Sequence, residues 1–137
     1  MKYKVYIYND TFATLTSILQ KGLQQGLNFY IYDEQDAIQN RIWTFSQPAF
    51  IPNVKADDDI LKTTKVPVVI STIIQPPIEN YKVILYRSLS SAINIDEGII
   101  IVEAKNDLQK MIETMQIKPE DCEVYVKNQN SWGRVLV

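Results

Sequence analysis

The chain has 137 residues, of which 46% are hydrophobic and 22% charged, which indicates one ordinary globular domain rather than a disordered segment. It carries 14 Lys and Arg against 16 Asp and Glu, and a net charge near −2 argues against tight nucleic-acid binding, which usually needs a clearly basic surface. Histidine is absent, so the commonest general base and the commonest zinc ligand are both missing.

The first half of the chain begins with a β-α pattern. Residues 3–8, "YKVYIY", alternate and are rich in aromatic and β-branched types, which predicts a strand. Asp10 or Thr11 can cap the helix that follows, whose apolar residues recur every three to four positions. Gly22 and Gly26 are expected to end this helix.

A second β-α unit follows directly. Residues 27–32, "LNFYIY", predict a strand, and "DEQDAIQNRIW" predicts a helix with acidic residues in its first turn, where the helix dipole favours them. The β-α-β-α order is typical of a parallel sheet with helices packed on it.

The second half of the chain predicts further strands and one helix. Segment 46–59 is interpreted as a loop, and the proline-rich segment 75–80 as a turn. Short apolar runs predict strands at 66–72, 81–86 and 98–104, a helix is predicted at 106–115, and 122–137 has the pattern of two short strands around a hairpin turn. Together these elements predict a single three-layer, Rossmann-like α/β domain over residues 1–137, with a mainly parallel central sheet.

No catalytic or cofactor-binding pattern is found. Neither "GxxxxGK[ST]" nor "GxGxxG" occurs, so a phosphate-binding glycine loop is not expected. Asp57–Asp59 could in principle bind a hard cation, but three adjacent positions on a loop do not converge on one ion, and a solvated loop is the favoured interpretation. We therefore predict no enzyme activity, no cofactor and no metal.

The single cysteine, Cys122, has no second cysteine or histidine to support it, so we expect a packed thiol and no internal disulfide. The opening residues have neither the apolar run of a signal peptide nor the length of a membrane span. These features predict a cytoplasmic protein that does not bind membranes.

A phospho-acceptor receiver domain is one alternative for this pattern. Asn9 and Asp10 follow the first strand, and Lys105 follows a late strand, as that fold requires. The candidate third strands end in "VVIST" and "VILYR", however, without the central aspartate. A receiver-like or nucleotide-binding-like scaffold of unrelated function therefore remains the alternative.

The stretch "RIWTFSQPAFIPN", residues 41–53, carries aromatic residues and prolines close together. It resembles a segment of the chi subunit of bacterial DNA polymerase III that reads Leu-Trp, a short spacer, and then Phe-aliphatic-Pro-His. "FYIYDEQDA", "VPVVIST" and "ENYKVILY" occur in the order of three further segments of that family. The resemblance covers residues 3–86 well and the C-terminal third poorly.

Proteins of the chi family are accessory subunits of the clamp-loader assembly and are not enzymes. The resemblance implies two partners: a small subunit called psi, and the acidic C-terminal tail of single-stranded-DNA-binding protein. The near-neutral charge of the chain, rather than the resemblance, predicts no tight nucleic-acid binding by the chain itself.

The resemblance also implies site residues for the acidic tail. Trp43 and Phe50 match the aromatic pocket positions of the family, Pro52 is expected to hold the loop rigid, Asn53 replaces the family's histidine, and Arg41 is a nearby cation. A terminal phenylalanine needs such an apolar pocket, and its carboxylate needs cationic donors. Trp43 could equally be a core residue at the end of its helix.

The chain departs from the family in its last third, where chi proteins have several basic residues facing the tail. Here only Lys110 and Lys118 are available, and a gapless count places the family's basic positions on Gln109 and Glu113. Three possibilities stay open: weak tail binding, retention of the psi partnership alone, or cations supplied from elsewhere. The other sources of cations are Arg41, Lys105 and Arg134.

Overall fold

The computed structural model describes residues 3–44, 52–56, 58, 61, 66–73, 80–87, 97–128 and 131–135. The strands in this part of the chain are β1 (Tyr3–Ile7), β2 (Phe29–Tyr32), β3 (Asn53–Lys55), β4 (Val68–Ser71), β5 (Lys82–Tyr86), β6 (Gly98–Val102), β7 (Cys122–Asn128) and β8 (Ser131–Val135). The helices are α1 (Thr11–Gln24), α2 (Ile38–Thr44) and α3 (Lys105–Met115), and a short 3-10 turn covers Pro119–Asp121. These elements confirm the predicted α/β class.

The strands form one eight-stranded sheet in the order β3-β4-β2-β5-β6-β1-β7-β8. Every neighbouring pair is parallel except β7 and β8, which are antiparallel. The predicted mainly parallel sheet and the C-terminal strand pair are therefore confirmed, and the arrangement is consistent with a Rossmann-like fold. The first strand lies inside the sheet, between β6 and β7.

Helix α1 begins where the sequence predicts, because Asp10 caps it. The Asp10 Oδ1 atom accepts a hydrogen bond from the N–H of Ala13 at 2.9 Å. At the other end the chain passes through Gly26, whose φ of 78° lies in the left-handed region that glycine adopts without strain. The N–H of Leu27 then donates to the carbonyl oxygen of Gly22 at 2.9 Å, which ends the helix and leads the chain into β2.

Helix α2 begins later than predicted. The sequence analysis placed acidic residues in its first turn, but the helix starts at Ile38 and its first turn contains none. Asp33 instead precedes the helix and is 3% exposed, and its Oδ2 atom accepts hydrogen bonds from the N–H groups of Ala37 and Ile38, both at 2.8 Å. These bonds compensate for burial of the carboxylate, and they fix the direction in which the chain enters α2.

Strand β3 is not predicted from the sequence, which indicates a loop over the whole of segment 46–59. Residues 53–55 pair in parallel with β4, from Asn53 opposite Val68 to Lys55 opposite Ile70. Three residues are too few to show strand periodicity, so only the pairing with β4 reveals this edge strand. The predicted turn at 75–80 lies outside the described residues except for Asn80.

Two clusters of buried apolar side chains pack against the sheet. One joins Leu15 of α1 and Ile38 of α2 to strands in the β4-β2-β5-β6 half of the sheet. The other joins Met111 of α3 to the strands around β1 and β6. In β6, Ile100 belongs to the α3 cluster and Ile101 to the other, and successive strand residues point to opposite sides of a sheet. The two clusters therefore lie on opposite faces.

The contact between Gly22 and the ring of Phe29 gives a test of this packing. Phe29 is 1% exposed, and a Cβ atom at position 22 would overlap its ring. We expect Gly22→Ala to lower the free energy of unfolding by about 1–2 kcal/mol, because overpacking outweighs the higher helix propensity of alanine. Urea denaturation measures this difference.

Gln24→Ala is the matched control, because Gln24 is exposed near the end of the same helix. Its free energy of unfolding should stay within about 0.5 kcal/mol of the wild-type value. Equal stability of Gly22→Ala and Gln24→Ala would contradict the close approach of α1 to Phe29.

Candidate functional site

An open cleft of about 640 Å³ lies at the carboxyl ends of β1, β5 and β6. Strand β1 leads into α1 and its neighbour β6 leads into α3, and these helices pack on opposite faces of the sheet. In open α/β sheets, ligands bind at such positions. The residues that line the cleft are Tyr8, Asn9, Asp10, Thr11, Phe12, Arg41, Arg87 and Glu103.

The floor of the cleft is fixed by hydrogen bonds between elements. The N–H of Tyr8 donates to the carbonyl oxygen of Val102 at 3.2 Å, which extends the pairing of β1 and β6 beyond the strands. The hydroxyl groups of Thr11 and Tyr86 form a buried hydrogen bond at 2.9 Å, which ties the start of α1 to the end of β5. The α1 N-terminus is thereby held beside the strand ends.

Burial changes the pKa of the Tyr86 hydroxyl. It raises the pKa of this hydroxyl above its usual value, although the hydrogen bond with Thr11 and the nearby charges of Arg41 and Arg87 act in the opposite direction. The Tyr86 hydroxyl is therefore neutral at physiological pH, and it can either donate the hydrogen bond to Thr11 or accept it.

Arg87 and Glu103 form an ion pair across the cleft. Arg87 directly follows β5 and Glu103 directly follows β6, and the Nη2 atom of Arg87 lies 3.6 Å from Oε2 of Glu103. Their side chains are 43% and 52% exposed, so solvent screens the pair and its contribution to stability is small. Because water reaches both charges, an incoming charged ligand can reach them too.

Arg41 links α2 to the cleft. Its guanidinium carbon lies 4.0 Å from the centre of the Phe12 ring, within the range of a cation-π interaction. The residue is exposed, and this contact holds the guanidinium group at the rim of the cleft.

The cleft is suited to recognition of an anion. It combines two guanidinium groups with the N-terminus of α1, and both features favour carboxylate or phosphate groups. The carboxylates of Asp10 and Glu103 balance part of this charge, and Asp10 is occupied as the α1 cap. Within the described ranges, no group of three or more acidic, cysteine or histidine side chains could hold a metal ion.

The residues predicted for the aromatic pocket are placed only in part. Arg41 lies at the cleft, and the backbone of Trp43 belongs to α2 two residues further on. The side chain of Trp43 and the whole of Phe50 lie outside the described residues. The interpretation of Trp43 as pocket or core therefore stays a prediction.

Pro52 and Asn53 lie at the start of β3. Pro52 is exposed, whereas Asn53 is 3% exposed. The Oδ1 atom of Asn53 accepts a hydrogen bond from Nε2 of Gln39 at 3.2 Å. This bond connects β3 to α2, so Asn53 has a structural role between the two elements.

Lys110 and Lys118 are exposed, the first on α3 and the second just before the 3-10 turn. Helix α3 packs in the opposite cluster from α2, so the structure does not bring these lysines together with Arg41. The other two cations considered, Lys105 and Arg134, are also exposed and lie at the start of α3 and in β8.

Of the eight residues that line the cleft, the sequence indicated a candidate functional role only for Asn9, Asp10 and Arg41. The residues missed are Tyr8, Thr11, Phe12, Arg87 and Glu103. A signal for two of them exists, because Arg87 and Glu103 are the first polar residues after buried apolar strands, the position where parallel sheets place ligands. Phe12 carries no such signal, since its spacing fits the buried side of α1.

None of the helices in the described residues is long and apolar enough to cross a membrane. Comparison with protein-family models, with curated proteins and with solved structures found no match in any of the three.

Cys122 gives a test of the packing next to β1. The residue is 5% exposed, as predicted for a packed thiol, and burial, with a smaller contribution from the charge of Asp121, raises its pKa. A raised pKa leaves less thiolate, the reactive form, at a given pH. We expect alkylation by iodoacetamide at pH 8 to be several-fold slower in the native protein than in the urea-unfolded protein. Equal rates would contradict this burial.

Proposed function

We propose that the protein is a non-catalytic adaptor of the chi type, which acts in the cytoplasm as an accessory subunit of the DNA polymerase III clamp-loader assembly. The observation that carries the proposal is the resemblance of four ordered segments. Three of these segments coincide with strands of one sheet, namely β2 with the approach to α2, β4 and β5. We further infer a three-layer, Rossmann-like domain from the two helix clusters on opposite faces.

The proposed ligand is the acidic, phenylalanine-ended C-terminal tail of single-stranded-DNA-binding protein. Helix α2 leads from Arg41 directly into the aromatic stretch that resembles the pocket segment of the family. A carboxylate of the tail can pair with the guanidinium group of Arg41 while its phenylalanine ring enters a pocket formed by Trp43 and Phe50.

The energies of these contacts are consistent with binding in the micromolar range. Burial of the terminal ring is worth roughly 1.5–3 kcal/mol, and each hydrogen bond to a charged group about 1.5–3 kcal/mol. Three such contributions at the upper end of these ranges total about 9 kcal/mol before the cost of ordering the tail, against ~8 kcal/mol for a micromolar dissociation constant, so micromolar binding is the tight limit expected. A psi-type subunit is the second proposed partner.

A titration of a fluorescent tail peptide tests the proposal. Wild type should bind saturably, and more weakly at higher salt, because the contact with the peptide carboxylates is electrostatic. Arg41→Ala should weaken binding about tenfold, the lower end for loss of one charged hydrogen bond. Phe50→Ala should also weaken binding, through loss of the apolar pocket. Fluorescence anisotropy measures each dissociation constant.

Lys21→Ala is the matched control, because Lys21 is an exposed cation in the last turn of α1, at the other end of that helix from the cleft. It should bind like wild type. A loss confined to Lys110→Ala or Lys118→Ala would move the cationic part of the site to α3. Absence of saturable binding to wild type at about 100 μM, a weak affinity, would contradict tail binding.

A small anionic ligand in the cleft is the second candidate function, and it corresponds to the nucleotide-binding-like alternative. The observation in its favour is the cleft itself, with Arg41 and Arg87 beside the α1 N-terminus at the carboxyl ends of parallel strands. Asp33 does not line the cleft, because it is buried and accepts hydrogen bonds at the start of α2. Binding of ADP that is lost in Arg87→Ala, without binding of the tail peptide, would favour this candidate.

A further inference from the structure

One side of strands β1, β7 and β8 carries aromatic and basic residues, and we call it the aromatic face. Its rings are Tyr6, Tyr8, Tyr125 and Trp132. Its cations are Lys4, Lys127 and Arg134. The strand register places these residues on neighbouring rungs of the sheet, with Tyr6 opposite Tyr125 and Lys127 opposite Trp132.

The aromatic face lies on the side of the sheet away from α3. Tyr3 and Val5 of β1 and Val124 of β7 belong to the α3 cluster, so the residues between them point to the other side. On that side the cluster of α1 and α2 takes no residue from β1, β7 or β8. The aromatic face therefore lies outside both helix-packed clusters of the described residues.

The four rings form a continuous group on this face. The rings of Tyr6 and Tyr125 are stacked, with centroids 5.4 Å apart and planes at 17°. The ring of Trp132 meets Tyr6 edge to face at 5.4 Å and Tyr8 at 6.2 Å. Trp132 is 38% exposed, one of the two exposed large hydrophobic side chains in the described residues. These contacts hold the rings in fixed positions on a rigid sheet while part of their surface stays in water.

The charges on this face are mainly positive, although the chain as a whole is slightly acidic. The ammonium group of Lys127 lies 4.9 Å from the centre of the Tyr8 ring. Lys4 and Arg134 are exposed on the neighbouring strands. The pairing of β1 with β7 also places one carboxylate on this face, Glu123, opposite Lys4. Glu123 accepts a hydrogen bond from the hydroxyl of Tyr125. The described side chains of the face therefore carry three positive charges and one negative charge.

We propose that the aromatic face binds an unpaired polynucleotide strand, whose bases stack on the rings and whose phosphates pair with the flanking cations. Rings and cations lie next to each other along each strand: Tyr125 precedes Lys127 in β7, and Trp132 precedes Arg134 in β8. A polynucleotide has the same alternation, because each planar base is joined to a charged phosphate. An acidic peptide shares the charge but lacks a planar group at every unit.

This binding is sequence-independent and weak. Stacking uses the flat surface that every base has, and a few phosphate contacts give an affinity that salt lowers steeply. Weak binding agrees with the composition, which argues against tight association with nucleic acid. The aromatic face adjoins the cleft, because Tyr8 belongs to both, but none of its other residues lines the cleft. The inference does not depend on the proposed adaptor function.

A titration with fluorescein-labelled oligothymidylate of 15 nucleotides tests the inference. Anisotropy should show saturable binding at low salt, with a slope of log K against log salt of about −2 for three phosphate contacts on a single strand. Trp132→Ala should weaken binding at least about fivefold, because one stacking surface is lost. The oligonucleotide should quench tryptophan emission in wild type, and this quenching should be lost in Trp132→Phe, which retains Trp43 as the only emitter.

Lys127→Ala and Lys110→Ala form a charge-matched pair, because each removes one exposed or half-exposed lysine, on the aromatic face and on α3 respectively. Only Lys127→Ala should weaken binding and make the salt slope shallower. Equal effects of the two changes, or absence of binding by wild type at 20 mM salt, would overturn the inference. Binding of the acidic tail peptide that is sensitive to Trp132→Ala, without binding of the oligonucleotide, would overturn it as well. A separate titration of the peptide against Arg41→Ala tests the adaptor proposal on its own, because Arg41 lies at the cleft and not on the aromatic face.

Discussion

The position of β1 between β6 and β7 is the constraint on which the rest of the structure depends. All five residues of β1 pair in parallel on both sides, from Tyr3 to Ile7, with strands from the last third of the chain. Closing so long a loop costs conformational entropy, and the backbone hydrogen bonds and the burial of side chains such as Val5 and Ile100 offset this cost. An inner strand of the sheet is therefore held by contacts between distant parts of the chain.

Both candidate binding surfaces follow from this position. Because β6 is next to β1, the chain leaves their carboxyl ends toward opposite faces and opens the cleft that Arg87 and Glu103 line. Because β7 is on the other side of β1, the tyrosines of β1 and β7 meet on a part of the sheet outside the cluster of α1 and α2. The pairing of β1 with β6 on one side and β7 on the other thus gives rise to both a polar cleft and an aromatic face.

The two surfaces differ in how their charges are held. At the cleft, Arg41 lies on the ring of Phe12 and Arg87 pairs with Glu103, so each guanidinium group already has a partner that an incoming carboxylate or phosphate must share. On the aromatic face Lys127 lies over the ring of Tyr8, and the rings are themselves partly in water. The cleft is therefore suited to one or a few anionic groups at a fixed place, whereas the face is suited to a repeating ligand without sequence preference.

Local patterns in the sequence determined most of the elements. The alternation in β1, the capping by Asp10 and the apolar runs of β4, β5 and β6 are properties of neighbouring residues, so they could be predicted without knowledge of the fold. The start of α2 could not, because Asp33 acts as a buried cap only after β2 has been placed beside β4.

The identity of the sheet neighbours was decided by the tertiary structure alone. Strand β3 is recognised by its pairing with β4, and the group of Tyr6, Tyr125 and Trp132 exists only because β1 and β7 are adjacent. A strand's sequence specifies its period and its buried side, but its partner depends on contacts between distant segments. The sequence by itself therefore determined an α/β protein with a mainly parallel sheet, and the order of the strands decided where its two candidate binding surfaces lie.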